Sequence, residues 1–98
     1  MKLVWSPRAV NDLGRIADLI ALDKRESALR WAQNVERKVL RLKRFPESGR
    51  IVPELGRPEI REVVVGSYRI IYKRDKQISI LTVFHGARAR LPEGISMR

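Results

Sequence analysis

The sequence predicts an α+β fold in the order β-α-α-β-β-β, a helical hairpin packed on one face of a curved antiparallel sheet. Three observations predict it. Two stretches in the first half repeat apolar residues at steps of three and four, the period of an amphipathic helix. Three β-prone runs in the second half are separated by Gly66-Ser67 and Asp75-Lys76, connections far too short for a parallel crossover, so they form an antiparallel meander. Between the halves lies PESGRIVPELGRP (46–58), whose three prolines and two glycines mark a loop.

Lys2–Trp5 is a short β-prone opening. Ser6-Pro7 then starts a helix over about 7–22, Ser6 as N-cap and Pro7 at the first helical position, where its missing N–H does no harm. Val10, Leu13, Ala17 and Ile20 give that helix its apolar stripe. After a polar break at Asp23–Ser27, Ala28, Trp31, Val35, Val39 and Leu42 line one face of a second helix. It ends before Phe45-Pro46, because the residue preceding a proline is pushed out of the α region. The loop carries one extended piece at Ile51-Val52. The strands follow as Glu59–Val65, Tyr68–Arg74 and Gln77–His85. Trp5 and Trp31 are expected in the core, and the sheet face away from the helices is expected to be left available. The chain thus reads as a single domain, 1–98: helical hairpin about 7–44, loop 45–58, strands about 59–85, tail 86–98.

Composition narrows the function classes. Ninety-eight residues make one domain near the size where a single core suffices. With no cysteine and one histidine, neither thiolate nor histidine-based metal sites are available, and no metal or cofactor is expected. No apolar run approaches the ~18–20 residues of a membrane span, and the N-terminus lacks a long apolar leader core, so a cytoplasmic protein without a membrane partner is expected. Twenty-one Lys and Arg against eleven Asp and Glu give a net charge of +10 and a pI near 11.1. Such a field attracts polyanions, either nucleic acid or an acidic protein. Residues 24–44 alone hold eight Lys or Arg against two Glu, a solvated helix face or a docking surface for an anionic partner.

No nucleotide-binding loop, hydrolase elbow or metal signature is present. The remaining candidates are polar residues on or beside the sheet: Glu54, Arg61, Arg69, His85, Arg88 and Arg90. Alternation places Arg69 with Ile71 and Lys73, and His85 with Leu81 and Val83, but leaves open whether the two share a face. Converging, they would suit RNA cleavage by the 2′-hydroxyl, with Glu54 as base and His85 as acid. Arg61, Arg69 and Arg88 would hold the phosphate, since a guanidinium meets phosphate oxygens bidentately and keeps its charge. The competing reading is structural: strand arginines lie over apolar surface, and a lone histidine ends a strand.

The combination of GRIVPEL (49–55), IRE (60–62), YRIIY (68–72) and VFHGAR (83–88), behind a Trp5-Ser6-Pro7 opening and two helices, resembles the RelE/ParE family of toxins of type II toxin–antitoxin systems. The resemblance runs over almost the whole chain and implies the same α/β fold. It also implies a cognate antitoxin, acidic and partly helical, through which alone the toxin would reach operator DNA. The family has two mechanisms, and the resemblance leaves open whether this chain is an enzyme. RelE-like members cleave mRNA on the ribosome without a metal; ParE-like members are described as inhibitors of DNA gyrase. Arg69 and Arg88 match arginines of the ribonuclease branch, and Glu54 and His85 are similar to the acid–base pair of a related subgroup. Arg61, Arg69, Arg88 and Arg90 are the corresponding candidates for target or nucleic-acid binding. The lysine pair of the ribonuclease branch is replaced by Arg50 and Arg57, and no Tyr follows Tyr72. The long helical pair and GRIVPE resemble the ParE side. The expectation is a growth-inhibiting, ParE-like toxin acting on gyrase. Ribosome-dependent mRNA cleavage is the alternative, and a non-toxic basic nucleic-acid-binding module the third reading.

Overall fold

The computed structural model describes residues 1–87 and Leu91. Among the described residues seven elements follow one another: β1 (Leu3–Trp5), α1 (Pro7–Asp23), α2 (Arg25–Arg41), β2 (Arg50–Ile51), β3 (Ile60–Val65), β4 (Tyr68–Arg74) and β5 (Ile78–His85). Ser6 caps α1 as its residue type demands: its hydroxyl accepts the Ala9 N–H at 3.0 Å. The same hydroxyl donates to the Leu81 carbonyl at 3.0 Å, which binds the helix start to β5. In α2, Glu26 stands in the first turn and Lys38 and Arg41 in the last, complementing the helix dipole.

The sheet order is β1-β5-β4-β3-β2. The meander β3-β4-β5 is antiparallel as expected, but β1 lies parallel to β5, pairing Leu3 with Ile78 and Trp5 with Ile80. The sheet is therefore mixed rather than wholly antiparallel. The two helices and most of the meander separate β1 from β5, and that long connection makes a parallel neighbour reachable.

On the helical face, Val35 and Val39 of α2 and its C-cap residue Leu42 pack with Ile70, Tyr72, Ile78 and Ile80 of the sheet, all of them buried. Trp31 is buried there and Trp5 packs half-buried at its margin. The α1 stripe differs from expectation at its first position. Val10 is 53% exposed, and Ala9 and Ile16 take the buried positions. The helix start is tied to the open edge of β5, and that rotates Ala9 and Asp12 inward. Asp12 is buried because one carboxylate oxygen accepts both the Thr82 hydroxyl at 2.6 Å and the Val83 N–H at 3.1 Å. It thereby closes the stretch of β5 edge that short β1 does not reach.

The far face of the sheet is not left available. The segment between α2 and β3 folds beneath it, and Val52, Ile60, Ile71 and Phe84 form a second buried cluster with Leu55, Leu81 and Leu91 against it. The Tyr72 hydroxyl pins this segment, donating to the Pro46 carbonyl at 2.8 Å and accepting the Gly49 N–H at 3.0 Å. Gly49 is required there: a Cβ would stand 2.6 Å from both the Tyr72 hydroxyl and the Glu62 carbonyl.

Candidate functional site

The two-residue turn at Gly66-Ser67, with Gly66 at φ 59°, sets the register that builds the central polar feature. Val64 faces Arg69 and Glu62 faces Ile71, so Glu62 and Arg69 are diagonal neighbours on one face. Arg69 is buried, and its Nε and Nη2 donate to a single Glu62 oxygen at 2.7 and 2.5 Å. Its outer edge meets Glu54 of the segment below as a bidentate fork, at 2.6 and 2.8 Å. The other Glu62 oxygen accepts Arg50 Nε at 2.5 Å. The Arg69 guanidinium also lies 5.1 Å from the centre of the Phe84 ring. Two arginines and two carboxylates thus form a closed, neutral network over an aromatic base.

Electrostatics follow from that geometry. The hydrogen bonds from Arg69 hold the Glu54 carboxyl down from its ordinary 4.5 to about 2. The same bonds, with the Glu62 charge, raise the already high value of Arg69 further. A guanidinium with both its edges engaged has no fork left for a phosphate.

His85 stands elsewhere. It pairs across β5 and β4 with Tyr68, and its ring meets the Tyr68 ring edge-on at 5.2 Å; Tyr68 in turn meets Trp31 of α2 at 5.2 Å. His85 therefore faces the helical side, whereas Arg69, opposite Phe84, faces the other. The structure brings Glu54 and Arg69 together and separates both from His85. Exposed His85 accepts the Ala87 N–H on Nδ1 at 3.1 Å. Arg61 donates to the carbonyls of Pro58 and Gly49 at 2.9 and 3.0 Å, bracing the segment before β3. Arg88 and Arg90 lie outside the described residues. Glu62, central to the network, is not among the candidates that the sequence suggests; the turn-defined register is the signal that could find it.

His85 and Tyr68 instead border a cleft of about 530 Å³ between α1 and the end of β5, which Arg8, Arg15 and Leu19 also line. Beyond Ile80 this flank of β5 has no partner strand among the described residues. No group of His, Cys, Asp and Glu suited to a metal occurs among the described residues, and no helix among them is long and apolar enough to cross a membrane.

Comparison with known proteins agrees with this architecture. Residues 3–90 match the family described as the ParE toxin of the type II toxin–antitoxin system, parDE. Among solved structures the chain is similar to the chromosomal ParDE TA system from P. aeruginosa, at 26% identity and a TM-score of 0.70, over 87% of this chain and 95% of that one. No curated protein matches it.

Proposed function

The chain belongs to the ParE toxin family of type II toxin–antitoxin systems, and from that premise we propose that it arrests growth by binding and inhibiting DNA gyrase, and that a cognate antitoxin neutralises it. The observation that carries the choice of a binding mechanism is the closure of Arg69 between Glu54 and Glu62, with His85 on the other side of the sheet. Acid–base cleavage of RNA needs base, acid and phosphate-holding cations around one phosphate. Here the base candidate and the central cation neutralise each other, and the acid candidate cannot reach them through the sheet. Arg69 and Glu54 act as structural residues in this reading.

The antitoxin is acidic, to match a toxin of charge +10. The cleft between α1 and β5 is its seat. Arg8 and Arg15 border it, and Leu19 is exposed beside it.

Induced expression with parallel readout of DNA topology and mRNA integrity tests the proposal. Loss of negative supercoiling with intact mRNA is expected, as is rescue by the product of an adjacent open reading frame with an acidic tail. Cuts in mRNA at the ribosomal A site, with gyrase supercoiling untouched in vitro, would replace it by the RelE-like mechanism.

A further inference from the structure

We propose that the cleft at the C-terminal end of α2 binds single-stranded nucleic acid, with Phe45 as a stacking platform for a base and Arg41, Arg44 and Arg74 as its phosphate-binding groups. The proposal is independent of the gyrase reading, because it concerns a separate surface and a ligand that the isolated toxin binds.

Phe45 follows α2 at a helix stop, and the residue is 51% exposed, more than is usual for a large aromatic. The exposure is not a loose end. The Phe45 N–H donates to the Arg41 carbonyl at 2.8 Å, the Ser48 N–H donates back to the Phe45 carbonyl at 3.0 Å, and Tyr72 holds Pro46 from the core. The ring is displayed on a braced turn. Guanidinium carbons of Arg41 and Arg44 lie 5.9 and 6.0 Å from its centre, so a π-face and two cations are already arranged together.

These residues line a cleft of about 550 Å³ with Pro46, Glu47, Ser48 and Arg74. Arg74 carries a buried Nε without a hydrogen-bond partner among the described residues, and it meets the exposed Glu47 carboxylate at 3.7 Å, an ion pair that a phosphate oxygen can replace. Arg41 and Ser48 also border a second cleft of about 340 Å³, in which Lys38 continues the line of cations along the sheet margin. A cationic groove that tracks a backbone, with an aromatic ring on which any base can stack, is how proteins hold single strands without reading sequence. A duplex, whose bases already stack on one another, has no use for the ring.

Fluorescence anisotropy with the purified full chain and labelled dT and rU 20-mers tests this, with a 20-base-pair duplex alongside. F45L, which keeps an apolar side chain without a π-face, should weaken single-strand binding about tenfold and leave duplex binding unchanged, while F45W retains it. R41Q/R44Q should lower the slope of log K against log salt by about 1.4 for single strands, because each phosphate that a cation neutralises contributes ~0.7. R25Q/R30Q removes the same charge from the opposite end of α2 and is the control. Equal losses in the two double variants, or identical single-strand affinities for F45L and wild type, would overturn the proposal and leave only diffuse attraction to a basic protein. Binding of either sugar supports it, and the ratio of dT to rU affinity assigns the strand.

Discussion

Replacing Glu62 by Gln should destabilise the fold by about 3 kcal/mol. The Glu62 side chain has no exposure and takes three charge-assisted hydrogen bonds, two from Arg69 and one from Arg50. Glutamine conserves its volume, but it removes the charge and turns one oxygen into an amide that points donors at donors. Removing one partner of a buried ion pair costs about 3–5 kcal/mol, chiefly because the other charge is left uncompensated. The lower end applies here, since Glu54 still grips Arg69 with both oxygens. A domain of this size is stable by about 5–15 kcal/mol, so the variant folds but with little in reserve. At ~4–8 °C per kcal/mol the melting temperature should fall by about 12–24 °C, measured by circular dichroism at pH 7 with exposed Glu36→Gln as control. A matched apolar pair, Glu62→Leu with Arg69→Met, should recover part of what Glu62→Leu alone loses, because no buried charge is then stranded. A drop below about 4 °C for Glu62→Gln, or no recovery in the double variant, would refute the network as a structural device and reopen Arg69 as a free cation.

Other outcomes follow from the same geometry. Glu54→Gln should lower stability at pH 7 by about 1 kcal/mol, discounted for a side chain 36% exposed. Its folded value, about 2, is below the ordinary 4.5, so the contribution is complete above about 4.5 and fades as pH falls toward 2. Urea midpoints of wild type and variant should accordingly differ at pH 7 and converge near pH 2. Tyr72→Phe removes the hydroxyl that satisfies both the Pro46 carbonyl and the buried Gly49 N–H, and should cost about 1–3 kcal/mol in the same unfolding assay. Asp12→Ala strands the Thr82 hydroxyl and the Val83 N–H at the edge of β5, with a loss of about 2 kcal/mol and faster hydrogen exchange at Val83.

Much of this fold is legible because its elements obey simple periods. Ser6-Pro7 starts α1 where capping chemistry requires, Ala28, Trp31, Val35, Val39 and Leu42 are all buried, and β4 spans Tyr68–Arg74 as the turn residues imply. What escapes is non-local. The sequence of β1 contains nothing that selects a parallel partner, so Leu3 opposite Ile78 cannot be read from it. Val52 and Leu55 sit in a segment without periodicity, and their burial depends on the sheet they fold beneath. At the site, alternation leaves Arg69 and His85 unassigned to a common face. The register slip between Ile71 and Tyr72 sets β5 out of step, pairing Ile71 with Thr82 but Tyr72 with Ile80, and no local signal announces such a bulge.

The position of the Arg69 network changes what the resemblance motifs mean. GRIVPEL contributes Arg50 and Glu54, IRE contributes Glu62, YRIIY contributes Arg69, and VFHGAR contributes Phe84 beneath the guanidinium. Gly86 of the same fragment passes beside it, where a Cβ would stand 3.2 Å from the Ser67 carbonyl and 3.4 Å from Arg69 Cγ. Four fragments scattered over the last half of the chain therefore converge on one side chain. Such convergence satisfies a structural demand: the segment beneath the sheet has little regular secondary structure, and it is fastened to the meander by charges that must be matched in number and place. An arginine serving catalysis would instead have to keep an edge open for substrate. On the proposed binding mechanism, the motif arginine serves the fold through the two carboxylates that engage it. Variants at Arg69 that abolish toxicity accordingly reveal a mechanism only when the melting temperature of the same variant is measured beside the growth assay. If Arg69→Lys stayed folded at the assay temperature and still lost all toxicity, the structural assignment would be insufficient and a direct role at the target would have to be added.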